Sequence, residues 1–151
     1  MRNSRRKRCR GGSALEMALL MPWYIFLFVG AFDWGYYAHA LISTESAARV
    51  AAQYASTDQT TAADSTGVCT FALEELRIVP NVGSSTTCGG ASPVSVSTAL
   101  IGPGQANTNS ADGQLAAQVS VQYTTLQLIP IPLLLNNQAT FYRTVQMRLR
   151  S

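Results

Sequence analysis

The strongest constraint on this chain is an almost wholly apolar run from Ser13 to Ile42 that holds a glutamate, Glu16, near its start. From Met17 to Phe32 no residue is charged. As a helix, the run is long enough to cross the ~30 Å hydrocarbon core of a bilayer. Because a charge at the bilayer centre costs roughly 2.5–3.5 kcal/mol on insertion scales, an acid within a span suggests a function.

A basic leader precedes the apolar run. Six of the eleven basic residues lie between Arg2 and Arg10, and Gly11 and Gly12 follow them. Since positive flanks stay in the cytoplasm, we expect the N-terminus inside and the C-terminus outside. Without residues 1–11 the chain keeps five basic and eight acidic residues. This acidic balance argues against a nucleic-acid partner.

The boundary between leader and span resembles a known cleavage signal. Gly11, Gly12 and the following Ser-Ala-Leu-Glu-Met are similar to the class III signal peptide of type IV-like prepilins. Three further stretches resemble the TadE-like pseudopilins: 14–22 (ALEMALLMP), 32–37 (FDWGYY) and 47–55 (AARVAAQYA). The chain is therefore identified as a member of the TadE-like family, with the similarity concentrated in residues 11–55.

This resemblance implies a function. A prepilin peptidase would cut after Gly11 or Gly12. The spacing to Glu16 favours Gly11, which makes Glu16 the fifth residue of the mature chain. In the family, that glutamate is thought to pair with the N-terminal amine of an adjacent subunit. Alternatively, Glu16 reaches the cytoplasmic headgroups beside Arg10.

The implied protein is a minor pseudopilin of a Tad (Flp) pilus or a related secretion system, held in a bacterial inner membrane with its head outside. Its partners would be the prepilin peptidase, other pseudopilins, the major pilin, the assembly platform and membrane lipid. No cofactor is implied.

The helix is expected to bend and to continue beyond the membrane. Pro22 lies inside the span, where a proline removes one hydrogen bond and can kink the helix. We assign residues 12–42 to the membrane and 43–56 to a stalk helix. The stalk carries a flank of five alanines, suited to close packing against a partner helix or the head, although alanine also simply favours helix. They are Ala47, Ala48, Ala51, Ala52 and Ala55.

The remainder, 57–151, is predicted to form an α+β head. Residues 56–67 are interpreted as a loop and Cys69–Val79 as a short helix capped by Thr70. Three stretches alternate as strands do, namely 94–100, 114–124 and 139–149, which indicates a small antiparallel sheet covered by helices. The overall prediction is a long membrane and stalk helix followed by a pilin-like head of about three strands.

Two further features of the head leave alternatives open. Cys69 and Cys88 fall in the exported part, where a disulfide persists, although free thiols remain possible. Residues 126–135 form an apolar linker that either completes the core or is exposed towards a partner or the outer leaflet.

No catalytic constellation is visible. The single histidine, His39, has no nucleophile and acid arranged with it as in a triad, and the acidic residues of the head are scattered. We therefore expect a protein without enzymatic activity.

Two other functions compete with the pseudopilin. Ala38-His39-Ala40 is a formal signal-peptidase site, which would release a secreted binding domain that begins at Leu41. An uncleaved single-pass anchor would instead retain Met1. The N-terminus of the mature protein distinguishes all three.

Overall fold

The computed structural model describes residues 12–83, 87–89, 92–126 and 138–150. Three helices precede three strands: α1 Gly12–Ala55, α2 Gln59–Ala63, α3 Ser65–Leu76, β1 Val94–Ile101, β2 Ala116–Thr124 and β3 Thr140–Arg148. The predicted α+β class is thereby confirmed. The predicted leader, with Gly11, and the apolar linker apart from Leu126 lie outside the described residues.

The chain forms two compact units, Met1–Tyr36 and Tyr37–Ser151. In the first unit, the described residues are all helical, and the side chains from Ser13 to Phe28 are exposed. An 18-residue window of this helix reaches a mean hydropathy of 1.8, so by length and composition it is able to cross a membrane. An exposed apolar surface of this extent suits lipid far better than water.

The second unit, which we call the head, is built on a sheet with strand order β1-β2-β3, antiparallel throughout. The two registers place Val96 opposite Val121 and Val119 opposite Val145. Because side chains alternate along a strand, the apolar residues fall on one face. The opposite face carries hydroxyl and amide groups, with Ser120 bonded to Thr144 at 2.9 Å and Gln146 to Gln118 at 3.1 Å.

The last turns of α1 help to form the core of the head. All five alanines of the predicted flank are fully buried, together with Ala40. They pack with residues of α3 and of the sheet: Val68, Ala72, Leu73, Leu76, Val94, Ala117, Val119, Val121 and Tyr123. Within the described residues, the alanine flank therefore packs against the rest of the head.

The segment after α1 differs from the predicted loop. Asp58 caps α2 through a capping box with Thr61. Asp64 then caps α3, which begins at Ser65 and not at Cys69, so Thr70 lies within the helix and not at its start. Both aspartates accept a bond from a backbone N–H that a helix start would otherwise leave unpaired. Two closely spaced caps turn a Thr/Ser/Asp-rich stretch into two short helices.

Candidate functional site

The helix α1 begins at Gly12, and Glu16 is its fifth residue. The Glu16 side chain is exposed and makes no hydrogen bond or ion pair with the described part of the chain. The resemblance predicts the same position for this acid in the mature chain. The carboxylate is thus available to a group from outside the molecule.

The surroundings of Glu16 are apolar. Leu19, Leu20 and Trp23 follow it by three, four and seven residues, so they lie on the same side of the helix. Their exposed fractions are 77%, 44% and 61%. In a bilayer this side of the helix would hold a single charge among hydrocarbon groups. That arrangement is unfavourable unless the charge finds a partner or reaches the interface.

Pro22 lies inside α1, and the helix is assigned without a break on either side of it. A proline has no N–H to donate to the carbonyl of Ala18, four residues earlier. The predicted kink remains a prediction, but the missing backbone bond follows from the residue type.

Asp33 differs from Glu16. Its side chain is buried, with 5% exposed, and its Oδ1 atom finds no hydrogen-bond partner within the described ranges. The sequence predicts instead that Asp33 lies near the headgroups at the outer end of the span, where a charge is readily solvated.

In the head, Cys69 of α3 forms a disulfide with Cys88. Cys69 is 9% exposed and belongs to the hydrophobic core. The bond joins residues 19 apart in the sequence. It thereby fixes the segment that leads into β1 against α3, on the side of the sheet where the helices pack.

Where α1 ends, a polar contact joins it to α3. The Tyr54 hydroxyl donates to Asp64 Oδ2 at 3.1 Å, and the Gly67 backbone N–H donates to Asp64 Oδ1 at 3.0 Å. These two hydrogen bonds lower the pKa of Asp64 below its usual 3.8, and the bond from Gly67 has the larger effect. The Asp64 bond in turn raises the pKa of Tyr54 above 10.0. Sequence reasoning missed this pair, which is ten residues apart and joined only by the fold.

The Tyr54 ring also stacks on Phe71 of α3, with 4.5 Å between ring centroids. Gly67 leaves room for this contact, since a Cβ at this position would lie 2.6 Å from the Tyr54 hydroxyl oxygen and closer still to the Asp64 carboxylate, so that these side chains would have to shift. A glycine inside a short helix is unusual, and here it allows the close approach of α1 and α3.

The described residues bring no catalytic group together. His39 is exposed on α1. No cluster of three or more His, Cys, Asp or Glu side chains suited to a metal ion occurs within the ranges the structure covers. What the described part of α1 presents is an exposed acid, Glu16, among exposed apolar side chains.

Comparison with known families agrees with this geometry. The model of the family described as TadE-like protein matches residues 11–53. Residues 11–53 are TadE-like. The matched segment contains Gly12, Glu16 and Pro22 and coincides with most of α1.

The TadE-like match is confined to residues 11–53, which include α1 up to Gln53 and no part of the sheet. It also agrees with a membrane-associated component, because the TadE-like segment contains the helix that is able to cross a membrane. No curated protein and no solved structure matches the chain significantly.

Proposed function

We propose that this chain is a minor pseudopilin of a Tad (Flp) pilus or a related pilus-like secretion system. A prepilin peptidase removes residues 1–11 at the cytoplasmic face of a bacterial inner membrane. The mature chain then enters or caps a filament of other pseudopilins and the major pilin at the assembly platform, with its head on the outer side.

The observation that carries this proposal is the position and exposure of Glu16. Cleavage after Gly11 frees an amine on Gly12, where the helix starts, and the acid lies four residues further on with no partner in the described chain. Two opposite charges attract strongly when water is excluded, and either one alone is costly there. The Gly12 amine of one subunit paired with Glu16 of the next would satisfy both and fix the register of the two helices.

The place of Ala40 supports this proposal over the secreted domain. Cleavage behind Ala38-His39-Ala40 would remove Ala40, which is fully buried in the head core. It would also cut α1 within its helical residues. The head of a protein processed in this way would lose part of its own packing.

The first test is N-terminal sequencing of the protein from cells with and without a prepilin peptidase. We expect the mature protein to begin at Gly12 only where the peptidase is present. A mature chain that begins at Leu41 would support secretion, and retention of Met1 in both strains would support an uncleaved anchor. Either result would contradict the proposal.

The second test concerns Glu16 alone. In Glu16→Ala we expect processing to be largely unchanged and incorporation into filaments to be lost. Leu19→Ala is the matched control, because Leu19 is an exposed residue of the same helix that carries no charge. Filaments that incorporate the Glu16→Ala protein as well as the Leu19→Ala protein would exclude the pairing role.

A further inference from the structure

The core of the head lies on one face of the sheet, and the opposite face is open. Because the three strands are in register, the residues of the open face form rows across the sheet, as Ser97, Ser120 and Thr144 do. We call this open surface the polar face. It consists of every second residue from Ser95 to Ala99, from Gln118 to Thr124 and from Thr140 to Arg148.

The polar face differs from an ordinary solvated surface in its charge. A protein surface usually mixes charged groups of both signs. The polar face carries serine, threonine and glutamine side chains, and Arg148 at one end is its one charged residue. All five of its residues on β3 are exposed. A surface of this composition offers many uncharged hydrogen-bonding groups and no carboxylate.

A second arginine lies beside Arg148. Arg150 continues the alternation two residues further on, and its backbone N–H donates to the Ser56 carbonyl at 3.0 Å. Neither arginine makes an ion pair with the part of the chain that the structure describes. Asp58 lines the same cleft, but its carboxylate accepts the Gln59 N–H at 2.6 Å as the cap of α2. This end of the polar face therefore has two cations available to an outside anion.

An aromatic ring lies across the polar face. Tyr142 is 59% exposed, and its hydroxyl is hydrogen-bonded to Ser120 and Thr144. These two residues are opposite each other, two positions further along β3, which is roughly 7 Å from Tyr142. The ring must therefore lean along the strand, over the sheet, to reach them. This position turns one surface of the ring outwards.

The dimensions of the polar face favour a narrow ligand. Three strands span about 14 Å across the sheet, and nine residues span about 27 Å along β3. The area is then about 400 Å², whereas a stable protein interface buries about 800 Å² on each partner. A strip of this shape is too small for a second copy of the head, but it accommodates a linear polymer that lies along the strands.

We infer that the polar face binds a linear polysaccharide that carries carboxylates. The C–H groups on one side of a sugar ring form an apolar surface that packs on an aromatic ring such as that of Tyr142. The sugar hydroxyls both donate and accept, as do the glutamine and hydroxyl side chains of this face. Carboxylates on the polymer pair with Arg148 and Arg150, which lie roughly 20 Å or more from Tyr142 along the chain.

This inference goes beyond the proposed function and depends on neither cleavage nor filament assembly, because it concerns the head alone. Failure of the polysaccharide to bind would leave the expected N-terminus at Gly12 unchanged. Conversely, an N-terminus elsewhere would not alter the polar face.

The experiment measures the binding of a galacturonate hexasaccharide to the full chain by isothermal titration calorimetry. The protein is kept in a detergent without a sugar headgroup, so that the detergent does not compete. Maltohexaose serves as the neutral sugar and hexaglutamate as the anion without sugar rings. We expect the galacturonate hexasaccharide to bind at least tenfold more tightly than either of them.

Variants test the ring and the arginines separately. Tyr142→Ala, and the double variant Arg148→Gln with Arg150→Gln, should each raise the dissociation constant of the galacturonate hexasaccharide about tenfold. The matched controls are Phe71→Ala and Arg77→Gln on α3, which should leave it unchanged. Circular dichroism verifies that each variant is folded.

Gln122→Ala provides a test that leaves both the ring and the arginines in place. Gln122 is an exposed amide of the polar face, and its loss should weaken binding several-fold. This variant decides the matter if Tyr142→Ala does not fold.

Four results would overturn the inference. The folded protein would bind no galacturonate hexasaccharide, or it would bind hexaglutamate equally well, which would reduce the site to an attraction between charges. Equal affinity for maltohexaose would exclude the role of the arginines. Unchanged affinity in both Tyr142→Ala and Gln122→Ala would place the sugar elsewhere on the protein.

Discussion

Tyr54 in the last turn of α1 donates a hydrogen bond of 3.1 Å to Asp64, the residue that caps α3. This contact fastens the end of the long helix to the start of a short one. The contact helps to lower the pKa of Asp64 and raises the pKa of Tyr54.

Asp64→Asn is expected to remove an acid-sensitive part of the stability. Because folding lowers the pKa of Asp64 below 3.8, its contribution is complete above that value and is lost as the pH falls through the lowered pKa. Unfolding of the full chain in detergent by urea, followed at several pH values, measures this. At neutral pH the variant should have a lower free energy of unfolding than the unsubstituted protein. On acidification, this free energy should fall less in the variant than in the unsubstituted protein. An unchanged acid profile would contradict the assignment.

Tyr54→Phe is expected to lower the stability at neutral pH and to weaken the fall in stability at alkaline pH. Folding raises the pKa of Tyr54 above 10.0, so its contribution is complete below 10 and is lost as the pH rises through the raised pKa. The variant keeps the ring on Phe71 and removes only the hydroxyl. Tyr54→Phe should change the loss of stability at acid pH less than Asp64→Asn does, because the Gly67 N–H is the largest cause of the lowered pKa of Asp64. Equal acid profiles for the two variants would contradict this ranking.

Loss of the disulfide is expected to destabilise the head. Closing a loop of this length is worth about 3 kcal/mol in the chain-entropy account. The double variant Cys69→Ser with Cys88→Ser should show this decrease in the free energy of unfolding. Cys9→Ser is the control, since Cys9 lies in the predicted leader. A similar loss of stability in the control would contradict a role specific to the 69–88 bond.

Enlarging the alanine flank is expected to disrupt the head core. Ala51 is fully buried, and an extra three heavy atoms there should cost about 1–3 kcal/mol through overpacking. Gln53→Leu is the matched substitution on the exposed side of the same helix. Thermal unfolding of both variants by circular dichroism gives the comparison. If Ala51→Leu melted no lower than Gln53→Leu, the flank would not be part of the core.

The turn after β1 provides a matched pair of glycines. Gly102 has φ +126° and Gly104 has φ +81°, so alanine is strained at both positions. At Gly102 alone, an added Cβ would lie 2.7 Å from the Gln114 carbonyl oxygen, whereas nothing lies within 4 Å at Gly104. Gly102→Ala should therefore be the more destabilising of the two in urea unfolding. Equal losses would mean that strain alone sets the cost.

The long apolar helix and the sheet were predictable because their signals are local. A long apolar run, and alternation that places Val94, Val96 and Leu100 on one face, depend only on neighbours in the sequence. The start of α3 was predicted wrongly because Thr70 and Asp64 are both acceptable caps. The choice between them depends on Tyr54 and Gly67, which the chain brings to Asp64 from both sides.

The candidate site divides in the same way. Glu16 stands out in the sequence because it is an acid within an apolar run, and its partner group lies outside the chain in our proposal. The long-range hydrogen bonds of the head were not predictable. Asn81, for example, bonds to Tyr123 and Thr124, which are more than forty residues away in the sequence. Such contacts have no periodic signature.

The alanine flank of α1 affects how the protein is made. These residues are synthesised before every strand of the sheet that covers them. They therefore stay exposed until the rest of the chain has been made. Methyl groups offer little surface for aggregation or for capture by chaperones during that interval. Small side chains at this place thus reduce the apolar surface that the new polypeptide exposes before its last strand is made.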